Sequence, residues 1–116
     1  MARLVWAEPA LQDLEQIGDH IALDNERAAK SLVKLVFEKA SLLETFPEMC
    51  SVPHDLGETE YRHLIVSPLR IFYRVEGDTV FIVYVMRFEK LLRLSDIEGR
   101  DQVDEQDAAL NNQGLK

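Results

Sequence analysis

Six basic side chains fall between residues 60 and 93: Arg62, Arg70, Arg74, Arg87, Lys90 and Arg93. Five are arginines, whose planar guanidinium suits two-pronged recognition of a carboxylate or a phosphate. This zone carries a net charge of +2, between residues 1–59 at −6 and residues 94–116 at −4. The basic character is therefore local. Its blandest reading is a set of solvated charges on strand faces, and a binding role has to be argued from where the elements put them. Other reactive types are sparse. Cys50 has no base near it in sequence, and His20, His54 and His63 are scattered, so no metal-ligand cluster is expected. There is no glycine-rich phosphate loop, and no cofactor is expected.

The chain has 116 residues, 47% of them apolar and 29% charged, which is the profile of one globular domain. The overall charge of −8 argues against a general polyanion binder and against a polybasic membrane anchor. No apolar run approaches the ~18–20 residues of a bilayer span. The N-terminus has no signal-peptide pattern, and a single cysteine fits a reducing compartment, so a cytoplasmic location is expected.

The elements follow from periodicity. Residues 2–6 read as a strand. Pro9 fits the first turn of a helix whose apolar face is Ala10, Leu14, Ile17 and Ile21. Asp24 or Asn25 can cap a second helix over 26–46, with a stripe of Ala29, Leu32, Val33, Val36, Ala40 and Leu43. A short link makes the two an antiparallel hairpin. Residues 47–59 form a loop. Strands at 61–66, 69–76 and 79–87 are separated by Ser67-Pro68 and Gly77-Asp78, the latter a strong two-residue hairpin signal. The expected fold is α+β, in the order β-α-α-β-β-β, with a helical hairpin packed on a small antiparallel sheet that the N-terminal strand can join.

Strand alternation sorts the side chains. With Gly77-Asp78 as the turn, an unbroken ladder sets Arg70 opposite Val85 and Arg74 opposite Phe81. Arg70, Phe72, Arg74, Phe81, Val83, Val85 and Arg87 then share one face. Leu69, Ile71, Tyr73, Val75, Val80, Ile82, Tyr84 and Met86 share the other, uncharged face, which the helices should cover. The mixed face suits an acidic, partly apolar partner segment. The competing reading is that arginine stems shield an apolar sheet. Trp6 is read as a core residue.

Three stretches carry a resemblance. They are Val5-Trp6-Ala7-Glu8-Pro9-Ala10-Leu11-Gln12-Asp13-Leu14-Glu15-Gln16-Ile17, the Ala28-Ala29 helix ending at Pro47, and the strand set Tyr61–Val66, Leu69–Val75 and Val80–Val85. The Arg-Ile-x-Tyr-Arg-Val element at residues 70–75 is the most specific piece. In order and spacing they resemble the RelE/ParE superfamily of toxins from type II toxin–antitoxin systems, over roughly residues 4–90. The resemblance implies a small toxin, associated with plasmid stabilisation, that an antitoxin silences by wrapping it with a flexible C-terminal segment. RelE-like members cut mRNA on the ribosome without a metal; ParE-like members inhibit DNA gyrase and are not enzymes.

Residue by residue, the resemblance favours the ParE-like branch. Metal-free RNA cleavage needs groups that activate a 2′-hydroxyl, stabilise the phosphorane and protonate the leaving oxygen. Arg62, Arg70 and Arg87 are the residues this alternative would use: Arg62 and Arg70 match ribonuclease positions, though ParE-like members often keep the second too, and Arg87 replaces a histidine; His54 and His63 could move protons in that scheme. Leu64 stands where a second strand base is expected, Glu89 replaces an arginine, and Leu91-Leu92-Arg93-Leu94 supplies no acid. The net charge also disfavours the ribosome as target. The expected function is gyrase inhibition within a toxin–antitoxin hetero-oligomer, with the face Arg70, Phe72, Arg74, Phe81, Val83, Val85 and Arg87 held by a cognate antitoxin. A metal-independent endoribonuclease and a non-toxic binding relative are the alternatives. Residues 1–94 are taken as the toxin domain, and 95–116 as an acidic extension, partly helical or disordered, that could mask the arginine face.

Overall fold

A computed structural model describes residues 1–88 and 93–101. Strand β1 (Arg3–Trp6) leads directly into helix α1 (Glu8–Ala22), with Pro9 in the first turn. Helix α2 (Glu26–Ser41) starts at Asn25, whose Oδ1 accepts from the Ala28 N–H at 3.0 Å and so satisfies one orphan donor. α2 stops earlier than its apolar stripe suggests, passing into a 3-10 turn at Leu42–Glu44. The Glu44 carbonyl accepts the Ala2 N–H at 2.8 Å, and Pro47 bars Phe46 from helical geometry, so the chain leaves the helix there. The two helices close tightly at Gly18, where an added Cβ would sit 3.3 Å from Val33 Cγ2.

Strands β2 (Arg62–Val66), β3 (Leu69–Glu76) and β4 (Thr79–Arg87) form the expected meander. Gly77 takes φ +59° in the β3–β4 turn, the positive value that glycine adopts without a steric penalty. The sheet order is β1-β4-β3-β2. β1 does join it, but parallel to β4, with Trp6 opposite Ile82, so the sheet is mixed and not purely antiparallel. The Arg3 N–H to Asp78 O and Ala7 N–H to Ile82 O bonds extend that pairing at both ends.

The β3–β4 ladder is not unbroken. Arg74 pairs with Phe81 as expected, and Tyr73 with Ile82, but Phe72 pairs with Tyr84. Val83 has no opposite residue: it is a β-bulge, and beyond it the alternation of β4 reverses. Arg70 therefore faces Met86, not Val85, and Arg87 pairs with Leu69. The face assignment needs correction accordingly. Val85 belongs to the core that Trp6, Ala10, Leu14, Val36, Ala40 and Leu43 make under the hairpin, and Arg87 registers on that side too. Tyr84 and Met86 join Phe72, Phe81 and Val83 on the opposite face.

That second face is also covered. A short helix α3 (Leu94–Arg100) lies over it, with Ile97 fully buried and Leu94 packed against the cluster. Leu94 and Ile97 thus pack, as their apolar character suggests; Glu89, Lys90, Leu91, Leu92 and residues 102–116 lie outside the described residues. The result is three layers: hairpin, sheet, then α3 with the 3-10 turn at His54–Leu56.

Past the bulge, β4 runs beyond the last pair with β1, Trp6 opposite Ile82, and meets α1 instead. The Val85 N–H donates to Asp13 Oδ2 at 3.2 Å, and the other carboxylate oxygen of Asp13 accepts from Arg100 at the end of α3. Asp13→Ala should therefore strip both β4 and α3 of a partner. The expected loss is about 1–3 kcal/mol, read as a drop in the thermal midpoint, whereas Gln16→Ala one turn along should change little.

Candidate functional site

The α3-covered face holds three arginines, each lying over an aromatic ring and each held by a carboxylate from a different part of the chain. The Arg70 guanidinium sits 4.8 Å from the Phe72 ring centre, and both terminal nitrogens donate to Asp55 at 2.9 Å. The Arg74 guanidinium lies 4.4 Å over Phe81; its Nε donates to Asp101 Oδ2 at 2.6 Å and its Nη1 to Glu76 at 3.0 Å. Arg100 lies 4.7 Å over Tyr84 and donates to Asp13 and, at 2.8 Å, to the Pro9 carbonyl. Stacking orients each planar cation, and the carboxylate fixes it in the plane.

Burial distinguishes these pairs. Asp55 is half exposed while the Arg70 side chain is 8% exposed, so solvent screens only one partner of this two-pronged pair. The Arg74 and Asp101 side chains are 12% and 6% exposed. For such a buried pair, removing Arg74 would leave the Asp101 carboxylate buried without its counter-charge, at a cost of about 3–5 kcal/mol. Tyr61 completes this site by donating to Asp101 Oδ2 at 2.8 Å. Burial, then the adjacent Asp101 carboxylate, raises the Tyr61 phenol well above its usual range, so it remains a donor.

At the other end of the face, Arg70 Nε donates to His63 Nδ1 at 3.3 Å. That geometry assigns the His63 proton to Nε2. Burial and then the Arg70 charge hold the imidazole below its ordinary value of 6.5. Hydrogen bonding to Arg70 holds Asp55 below 3.8 despite an opposing desolvation effect.

Of the residues expected to bind a partner, Arg70, Phe72, Arg74, Phe81 and Val83 come together on this face. Val85 and Arg87 lie on its reverse. The residues of the ribonuclease alternative do not converge: Arg62 registers with Tyr73 on the hairpin side and donates to the Cys50 carbonyl at 2.6 Å, as Arg87 lies on that side too, while Arg70 lies across the sheet. Trp6 is a core residue, 1% exposed. Asp13, Asp55, Tyr61, Tyr84, Met86, Arg100 and Asp101 belong to the site or its support and are absent from the sequence-based set. The bulge moved two of them; the acids looked like ordinary surface charge, and only an aspartate inside the amphipathic α1 gave any hint.

Comparison with known proteins agrees with this architecture. The family described as the ParE toxin of the type II toxin–antitoxin system, parDE, matches residues 4–91. A solved structure of the chromosomal ParDE TA system from P. aeruginosa is similar at 25% identity, with a TM-score of 0.65, covering 77% of this chain and 98% of that one. Comparison with the sequences of curated proteins found no match. Among the described residues, no helix is long and apolar enough to cross a membrane.

The His63–Arg70–Asp55 cluster makes stability pH-dependent. His63 is harder to protonate in the fold than in the unfolded chain, so acid favours unfolding once pH falls through about 6.5 and until the lower folded value is passed. Asp55 adds a further loss below 3.8, as the unfolded carboxylate takes up its proton first. Urea midpoints should fall between pH 7 and pH 5.5 in the wild type, with a smaller fall in His63→Gln. Identical slopes would remove His63 from the account.

Proposed function

We propose that this chain, which belongs to the ParE toxin family of type II toxin–antitoxin systems, acts by binding: it inhibits DNA gyrase and is silenced by a cognate antitoxin. The observation that carries a binding rather than a cleaving role is the dispersal of the cations. RNA cleavage would need Arg62, Arg70 and Arg87 around one phosphate. They occupy two sides of the sheet, and Arg62 and Arg70 already hold the Cys50 carbonyl and Asp55. The similarity to a structure of a ParDE system supports an antitoxin partner.

The arginine–aromatic face is the surface we assign to that antitoxin, through Arg70, Phe72, Arg74, Phe81 and Val83, with Tyr84 and Met86 in place of Val85 and Arg87. Its apolar rings, and arginines that carboxylates of the chain itself already hold, fit an acidic, amphipathic segment that offers the same groups. Residues 1–94 are read as the toxin unit, consistent with a family match that ends at residue 91. Action on gyrase places the protein in the cytoplasm.

Two assays run side by side test the reading. The purified chain should block DNA supercoiling by gyrase, in proportion to its concentration, and leave mRNA intact on translating ribosomes. Cleaved mRNA with normal supercoiling would establish the endoribonuclease instead, and activity in neither assay would leave a non-toxic binding relative. Arg74→Ala should weaken antitoxin binding about tenfold or more, as expected for loss of a charged hydrogen-bond donor.

A further inference from the structure

We propose that α3 is a detachable strap occupying the seat of the antitoxin segment, and that the segment replacing it carries α3's own pattern: two apolar residues three apart and a carboxylate four further on. The inference rests on the toxin reading above and goes beyond it by naming what must move and what takes its place. Leu94 and Ile97 share one face of α3, and Asp101 follows at its C-terminal end. Leu94 and Ile97 pack on the sheet cluster, and Asp101 takes the hydrogen bonds of Arg74 and Tyr61. Any segment that displaces α3 must cover the same rings and return a carboxylate to Arg74. Otherwise the Arg74 Nε–H and the Tyr61 hydroxyl lose their shared acceptor, and Arg74 keeps only its bond to Glu76 among these.

α3 is held from outside itself, by Ile97, by Asp101 and by the contacts of Arg100 to Asp13, the Pro9 carbonyl and the Tyr84 ring. It has seven residues, too few to be helical without packing. Gly99 lies inside it, although nothing lies within 4 Å of where a Cβ would be; no close approach requires glycine there, and its backbone freedom loosens the helix. Asp101 Oδ1 is buried without a hydrogen-bond partner, so the anchor is only half used. The sheet beneath has a separate core against the hairpin, including Leu69, Ile71, Tyr73, Val80 and Ile82, and can remain folded while α3 lifts.

Hydrogen exchange on the full chain tests the strap directly. The α3 amides should exchange faster than those of β3 and β4. Asp101→Ala should raise α3 exchange about tenfold, and Gly99→Ala, which fits without contact, should lower it about two- to fivefold, with β3 and β4 unchanged in Gly99→Ala. Exchange of α3 in step with the strands in every chain would overturn the strap. The association rate of the protein encoded in the adjacent reading frame should follow the same order, fastest for Asp101→Ala and slowest for Gly99→Ala. Equal rates would overturn the proposal but leave the toxin reading standing, and would direct attention to the open apolar groove between α1 and α2 lined by Leu11, Leu14, Val33 and Phe37. A protein that bound none of the three chains would overturn both.

Discussion

An inserted residue in a β-ladder reverses the alternation beyond it, and every buried backbone N–H there must still find an acceptor. In this chain the insertion is Val83; past it β4 runs beyond the end of β1, which stops opposite Ile82, and the Asp13 carboxylate accepts the Val85 N–H. The consequences spread in both directions. On the sheet, the reversal of alternation brings Tyr84 and Met86 to the arginine face and sends Val85 into the hairpin core. On the helices, Asp13 uses its second oxygen for Arg100 and so ties α1 to α3 around the end of β4. Without the bulge, Tyr84 would not lie beneath Arg100, and α3 would lose one of its attachments.

The three arginines are better understood as geometric devices than as sources of stability. A half-exposed pair such as Arg70–Asp55 is partly screened by water, and buried pairs such as Arg74–Asp101 spend most of their attraction on desolvation. What they set is position. A ring below and a carboxylate beside each guanidinium leave one orientation, so the face is rigid and its cations are already matched. The chain thus makes internally the kind of contact that an acidic partner would make from outside.

The elements were legible because their signals are local. Pro9, Asn25 and the Gly77-Asp78 turn act within a few residues, and the apolar stripes of α1 and α2 repeat often enough to fix their buried faces. The site was only partly legible. Arg70, Phe72, Arg74 and Phe81 precede the bulge along the hairpin or lie opposite unshifted partners, so alternation placed them correctly. Val85 and Arg87 lie past it, and no residue type at 83 announces an insertion: valine suits a bulge no better than a regular strand. The parallel entry of β1 depends on how the hairpin folds back over the sheet, which pattern does not encode. The acids at 13, 55 and 101 each looked like solvated charge, because their partners are 15 to 87 residues distant in sequence.

The position of α3 along the chain has a temporal side. Every strand of the face it covers is made before it: β4 ends at Arg87, and Asp101 comes fourteen positions later. At about 5–20 residues per second of synthesis, the ribosome takes on the order of a second to add that stretch. The segment that covers the arginine rings is thus the last of the described elements to be made.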